Sequence, residues 1–174
     1  MTTIIVDAKS KVVYSDSRMT TTKVGSKEAT YTTNAEKIFK HKSGKMLAAM
    51  CGNANVSLAK LESLGFKVRT SKREVHRRDW VHSSEDTANI FIISLDSEKI
   101  IHLKTHVNED TLKVKWSFDI ITDCNRIWAG SGVSTGLPCR LFRYNPKIKY
   151  DKVIKACSLQ DPFTDDKVKF MKLL

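Results

Sequence analysis

The chain has 174 residues and a mass of 19.7 kDa, enough for one ordinary domain and too little for two. With 41% apolar and 28% charged residues it is neither disordered nor fibrous, and its longest apolar runs, such as 90–93, fall far short of the roughly 20 residues of a membrane span. Thirty Lys plus Arg against 19 Asp plus Glu leave a net charge of +11, a field that draws acidic partners or nucleic acid.

Apolar alternation over 3–6 and 12–15, around a polar stretch from Asp7 to Lys11, predicts a β-hairpin at the start. A second hairpin is predicted over 35–40 and 45–50, joined by His41-Lys42-Ser43-Gly44. Past Cys51-Gly52 the period changes. Val56, Leu58, Ala59, Leu61 and Leu64 suit one helix, begun near Asn53 or Asn55 and stopped at Gly65, and a basic helix is expected to follow to about Trp80. Residues 88–95 and 99–104 bracket Asp96-Ser97-Glu98 as a third hairpin, and 112–121 alternates as a further strand. A short strand over 126–129 runs into Gly130-Ser131-Gly132. Two helices follow, one around Leu137, Leu141 and Phe142 ended by Asn145-Pro146, the other around Val153, Ile154 and Cys157; a strand over 167–173 closes the chain. Strands grouped between pairs of helices predict an α+β sandwich, a single domain over 1–174 with helices covering two packed sheets.

The common catalytic motifs are absent: there is no HExxH, P-loop or G-x-S-x-G. His102 and His106 stand four apart, a spacing that serves a metal only on a helix, whereas 100–103 reads as strand; both are expected at the surface. Cys51, Cys124, Cys139 and Cys157 form no CxxC pair, which disfavours zinc or a disulfide framework and suits a reducing cytoplasm. No metal or cofactor is expected, and the start of the chain reads as neither a secretory signal nor a membrane anchor. The densest basic stretch holds Lys67, Arg69, Lys72, Arg73, His76, Arg77 and Arg78 and is the candidate surface for an acidic partner; the remaining excess reads as solvated faces.

Thr2 follows Met1, and a small residue in second place favours removal of the Met. Thr2 would then carry a free α-amine, with a reference pKa of about 7.7 to 8.0, one bond from the carbon that bears its hydroxyl carbon. One residue would be nucleophile and base.

Six segments fall in order along nearly the whole chain: Thr2-Thr3-Ile4-Ile5-Val6, Ser15-Asp16-Ser17-Arg18-Met19-Thr20, Glu36-Lys37-Ile38-Phe39, Met50-Cys51-Gly52-Asn53-Ala54, Gly130-Ser131-Gly132, and the stretch from Asp161 to Val168. Together they resemble proteasome β-type and HslV-type peptidases. The second is similar to that family's Ala-Asp-Ser-Arg-Ala-Thr, and the last to its Asp-x-x-Ser-Gly-Gly-x-Val. The resemblance implies a four-layer αββα fold of the N-terminal nucleophile hydrolase type and a threonine peptidase that transfers an acyl group to Thr2 Oγ before hydrolysing it. It implies Thr2 as nucleophile and base, Lys37 as the cation that lowers the amine's pKa, Asp16 as the partner of Lys37, and the Gly52 N–H as oxyanion donor. Ser131, Asp161 and Thr164 would order the amine and its water. Met19 and Met50 would line an apolar pocket for the residue before the cut, and Thr20 would pair its backbone with the substrate. Peptides or unfolded proteins are the implied substrates, with a homo-oligomeric ring and an ATPase unfoldase ring as implied partners.

Thr2 and Asp16 are an even number of positions apart, which reads as a shared face and favours Thr2 over Thr3 as the nucleophile. The sequence departs from the family in three places: Asp165 and Asp166 stand where it has Gly-Gly, adding negative charge near the amine, extra residues separate Asp16 from Lys37, and the helical regions are short, with Gly136 and Pro138 early in the third helix. Two other readings stay open, a catalytically inactive relative that binds an acidic or nucleic-acid partner through its basic surface, and an amidohydrolase acting on a small amide.

Overall fold

A computed structural model describes residues 2–22, 29–32, 34–68, 87–107, 114–134 and 136–174. In chain order its elements are β1 (Ile4–Asp7), β2 (Val12–Asp16), β3 (Met19–Thr22), β4 (Ala29–Thr32), β5 (Ile38–Lys40), β6 (Met46–Gly52), α1 (Ala54–Ser63), β7 (Ala88–Ser94), β8 (Ser97–Val107), β9 (Val114–Ile121), β10 (Arg126–Ala129), a 3-10 turn (Ser131–Val133), α2 (Leu137–Tyr144), α3 (Tyr150–Ser158) and β11 (Val168–Lys172). Two antiparallel sheets carry them, one in the order β10-β1-β2-β11 and the other β5-β6-β7-β8-β9, while β3 and β4 pair as a separate ribbon.

The central strands are apolar on both faces, so each phase of the two-residue period finds a different core. In β1, Ile4 and Val6 join Val13, Leu47, Ala49, Phe91, Ile93 and Ile100 in a cluster shared by the two sheets. Ile5, between them, turns the other way and packs with Phe142 of α2 and Val153, Ile154 and Cys157 of α3. The second sheet repeats the pattern in β6: Leu47 and Ala49 enter the shared cluster, and Ala48 and Met50 pack with Leu61 of α1 and with Phe66. The helix α1 starts at Asn53, whose side chain accepts the Val56 N–H at 3.1 Å, and it ends at Leu64, just before Gly65.

Three elements differ from the sequence reading. The third hairpin turns more tightly: Ser94 pairs with Ser97, leaving only Leu95 and Asp96 in the turn, and Lys11 Nζ holds it by donating to the carbonyls of Ser94 and Ser97. In the second hairpin the β5 ladder begins only at Ile38; the Ala35 N–H donates instead to the Ser17 carbonyl at 2.8 Å, drawing the chain away from β6. The β3–β4 ribbon was not anticipated, because threonine-rich strands carry no apolar alternation. His102 is half-buried, stacked on Phe91 with ring centroids 4.4 Å apart, whereas His106 is exposed as expected. The basic run beyond Val68, the helix expected to about Trp80 and the first residues of the strand expected at 112 lie outside the described residues. Among the described residues no helix is long and apolar enough to cross a membrane, and no group of three or more His, Cys, Asp or Glu could hold a metal.

Leu61 is the one fully buried apolar side chain of α1, a helix that begins two residues after Gly52. Leu61→Ala is expected to cost about 2 to 5 kcal/mol in urea unfolding, whereas the exposed neighbour Glu62→Ala should stay within about 0.5 kcal/mol of the parent. Equal effects would remove the docking role of Leu61.

Candidate active site

The register of β1 decides what surrounds the residues ahead of it. Ile4 stands opposite Ser15 on one side and Ala129 on the other, so Thr2 and Thr3 emerge between Asp16 and the Gly130-Ser131-Gly132 loop. The Asp16 N–H donates to the Thr3 carbonyl at 3.0 Å. On the loop side there is no room for a side chain. A Cβ on Gly130, whose φ is +102°, would lie 1.7 Å from the Thr2 carbonyl oxygen, and one on Gly132 would lie 1.9 Å from Thr3 Oγ1.

Asp16 is wholly buried and its carboxylate is the hub. Oδ1 accepts the Thr2 hydroxyl, the Thr3 N–H at 2.8 Å and Lys37 Nζ at 2.8 Å; Oδ2 accepts the Arg18 N–H at 3.0 Å. Lys37 Nζ donates to Thr2 Oγ1 as well. That oxygen therefore lies between an amine donor and a carboxylate acceptor, with Thr2 3% and Lys37 4% exposed. Burial pushes the Lys37 pKa below its ordinary value, and the carboxylates of Asp16 and Asp165, with Cys51, work against that shift. Cys51 is no rival nucleophile: burial pushes its thiol up to about 11, against the pull of Lys37.

A second set adjoins the first through Thr3. Thr3 Oγ1 and Thr164 Oγ1 are 2.8 Å apart, Thr164 donates to Asp161 Oδ2 at 2.7 Å, and Ser131 donates to the same oxygen. Burial raises the Asp161 pKa, but the bonds from Ser131, Thr164 and the Phe163 N–H outweigh it and hold the carboxyl below its ordinary value. Asp161 is thus ionised at neutral pH.

The structure brings Thr2, Asp16 and Lys37 into direct contact and gathers Ser131, Asp161 and Thr164 beside them. Gly52 ends β6 at φ +86°, exposed. The Met50 N–H points toward β5 and bonds the Lys37 carbonyl at 3.0 Å. Alternation along the strand sends the Gly52 N–H to that side too, beyond the start of the β5 ladder. Met50 is buried in the cluster of Leu61 and Phe66, and Met19 packs against the same cluster. Thr20 lies in β3 opposite Tyr31, and its hydroxyl is buried with no hydrogen-bond partner among the described residues.

The register, rather than even spacing, decides which residue faces Asp16. The ladder sets residues an odd number apart opposite each other, so Thr3 is the one that faces Asp16. Thr2 meets the carboxylate because it precedes β1 and Asp16 closes β2, where strict alternation ends. Three contributors went unnamed as site residues: Thr3, Ser17 and Asp165. The Asp165 carboxylate, read from sequence as stray charge near the amine, accepts the Ser17 N–H at 2.8 Å and the Ser17 hydroxyl at 3.0 Å, while Asp166 is exposed. The Asp-Ser-Arg segment was the available signal for Ser17. A cavity lined by Asp7, Lys9, Cys124, Asn125, Arg126 and Trp128 lies at the opposite end of β1.

Removing one member of a buried ion pair strands the other. Asp16→Ala should lower unfolding stability by about 3 kcal/mol or more. Adding Lys37→Met should restore much of that loss. A parent-like unfolding midpoint for Asp16→Ala would show that the pair is not buried in solution.

No protein-family model matches this sequence, and no curated protein matches it. Among solved structures the chain is similar to eukaryotic HslV from Trypanosoma brucei, with a TM-score of 0.53 and 12% identity over 97% of each chain. The likeness is one of fold: the described residues form two larger antiparallel sheets, the β3–β4 ribbon and three α-helices, an arrangement compatible with an HslV-like fold.

Proposed function

We propose that this chain is a threonine-type peptidase in which Thr2, made N-terminal by removal of Met1, is the nucleophile and its α-amine the base. The observation that carries the reading is the buried contact of Thr2 Oγ1 with both Lys37 and Asp16. The fold reading that goes with it is one domain of the four-layer αββα N-terminal nucleophile type. Three apolar clusters support it, one shared by the sheets, one under α1 and one under α2 and α3.

In this reading Thr2 Oγ attacks the substrate carbonyl carbon and its proton passes to the α-amine. Lys37, charged through its pairing with Asp16, stabilises the negative charge growing on Oγ and disfavours a second cation at the amine, leaving the amine free to act as base. The Gly52 N–H stabilises the carbonyl oxygen as it becomes an oxyanion. The amine returns the proton to the departing peptide nitrogen as the C–N bond breaks, giving an ester on Thr2. Water, deprotonated by the same amine, then cleaves that ester and releases Thr2. Asp161, with Ser131 and Thr164, orders the amine and this water.

Peptides or unfolded proteins are the substrates in this reading, in the cytoplasm, with a homo-oligomeric ring enclosing the site and an ATPase ring delivering folded proteins. The +11 charge steers acidic partners toward the surface, while the pocket decides the cut.

Intact mass should lack Met1, and Thr2→Ala should abolish cleavage of fluorogenic peptides while leaving the unfolding midpoint close to that of the parent. Thr2→Ser should keep part of the rate. An Ala variant as fast as the parent would remove Thr2 as nucleophile, and a retained Met1 without turnover would favour a non-catalytic binding protein.

In this reading Met50, buried in the cluster under α1, and Met19, packed against that cluster, supply an adaptable apolar lining to the pocket for the residue before the cut. Cleavage after Leu, Phe, Tyr or Met should exceed cleavage after small or charged residues about tenfold to a hundredfold, and Met50→Ala should reduce that preference. Fastest cleavage after Asp or Glu, unaffected by Met50→Ala, would overturn the assignment.

A further inference from the structure

Ser17 follows the last residue of β2, where the ladder no longer supplies its backbone partners. Its N–H is taken by Asp165 Oδ1 at 2.8 Å, and its hydroxyl donates to Asp165 Oδ2 at 3.0 Å. On the other side its carbonyl accepts the Ala35 N–H at 2.8 Å, and its hydroxyl oxygen is 3.4 Å from the Asn34 N–H. Ser17 is therefore the link between the backbone that carries Asp16 and the backbone that leads, two residues beyond Ala35, into Lys37. Both Ser17 and Asp165 are buried. A carboxylate with so little access to water needs its donors, and among the described residues the hydrogen bonds to it come from Ser17.

We propose that Asp165 is a positioning residue for the Lys37–Asp16 pair: by clamping Ser17 it fixes the spacing of the two backbone segments whose side chains meet at Thr2 Oγ1. The related peptidases carry glycine at this position by the motif match given above, so the clamp belongs to this chain. Its catalytic consequence rests on the reading of Thr2 as nucleophile; its effect on Lys37 does not.

Charge and clamp can be separated. The groups that face Lys37 are Asp16 from β2, Cys51 from β6, Asp165 from the segment before β11, and the Thr2 hydroxyl, joined by the Thr2 amine once Met1 is removed. Asp165→Asn and Asp165→Ala both delete the charge, which lowers the Lys37 pKa further. Only Asn keeps an oxygen for the Ser17 N–H. The clamp is thus read from the difference between the two variants.

With fluorogenic peptide, Asp165→Ala should lose about tenfold or more in kcat with KM little changed, while Asp165→Asn stays within about threefold of the parent. Independently of turnover, the Lys37 ε-methylene titration followed by carbon-13 NMR, assigned with Lys37→Arg, should fall at lower pH in the Ala variant than in the Asn variant. Equal kcat in the two variants, or a common Lys37 titration, would overturn the proposal. If the parent shows no turnover, the peptidase reading fails and the NMR comparison still decides this one. Should Asp165→Ala not fold, Ser17→Ala replaces it. It loses the hydroxyl bonds to Asp165 and Asn34, and a Lys37 titration identical to the parent's would then count against the clamp.

Discussion

A lysine amine buried beside a wholly buried aspartate is the constraint on which the rest of this structure depends. Lys37 arrives from the edge of one sheet and Asp16 from the end of a strand in the other, so the pair joins the sheets at the rim of their shared apolar core. Such pairs add little net stability, because desolvating two charges offsets most of their attraction. Their value is positional: neither group can move away from the other without becoming an unpaired buried charge. Thr2 Oγ1 is held by both, which fixes a hydroxyl where a donor and an acceptor converge.

The surrounding elements can be read as solutions to that constraint. The chain leaves the β5 ladder at Lys37 so that its side chain can turn inward, and Ser17 and Asp165 hold the strand ends together where sheet hydrogen bonding stops. The loop beyond β10 omits two side chains to let the first threonines pass. Asp161 keeps its charge in a buried setting because three donors surround it. These departures from regular structure gather around Thr2, whereas the outer faces of the two sheets pack on the helices by ordinary apolar burial.

Much of the fold was legible because the apolar period is strong where both faces are buried. Strands β1, β6 and β7 and the Asn53 cap follow directly from their residues. The ribbon of β3 and β4 was not, since its threonines present no apolar phase to either face, and the tight turn at Leu95-Asp96 depends on a lysine more than eighty residues earlier. The site residues came from motif resemblance rather than from pattern. What the motif could not reveal was the role of a residue that breaks it: the carboxylate of Asp165 has meaning only beside Ser17, a contact between the two ends of the sequence. Thr2 and Asp16 touch although their even spacing does not match the odd offset of the ladder, because both stand where the paired strands end.

The strand order gives the site a place in time. The strand carrying the first residues is flanked by β2 and by β10, and β2 in turn waits for β11, so the first sheet is completed only by segments translated late. Asp161, Thr164 and Asp165 lie in the same late stretch. At about 5 to 20 residues per second of synthesis, the start of the chain spends on the order of ten seconds without its β10 neighbour. During that interval Thr2 and Thr3 lack the Gly130-Ser131-Gly132 loop and the Asp161–Thr164 pair that pack against them. The cluster around Thr2 therefore closes only once the segment holding Asp161, Thr164 and Asp165 has been made and has packed against Thr3 and Ser17.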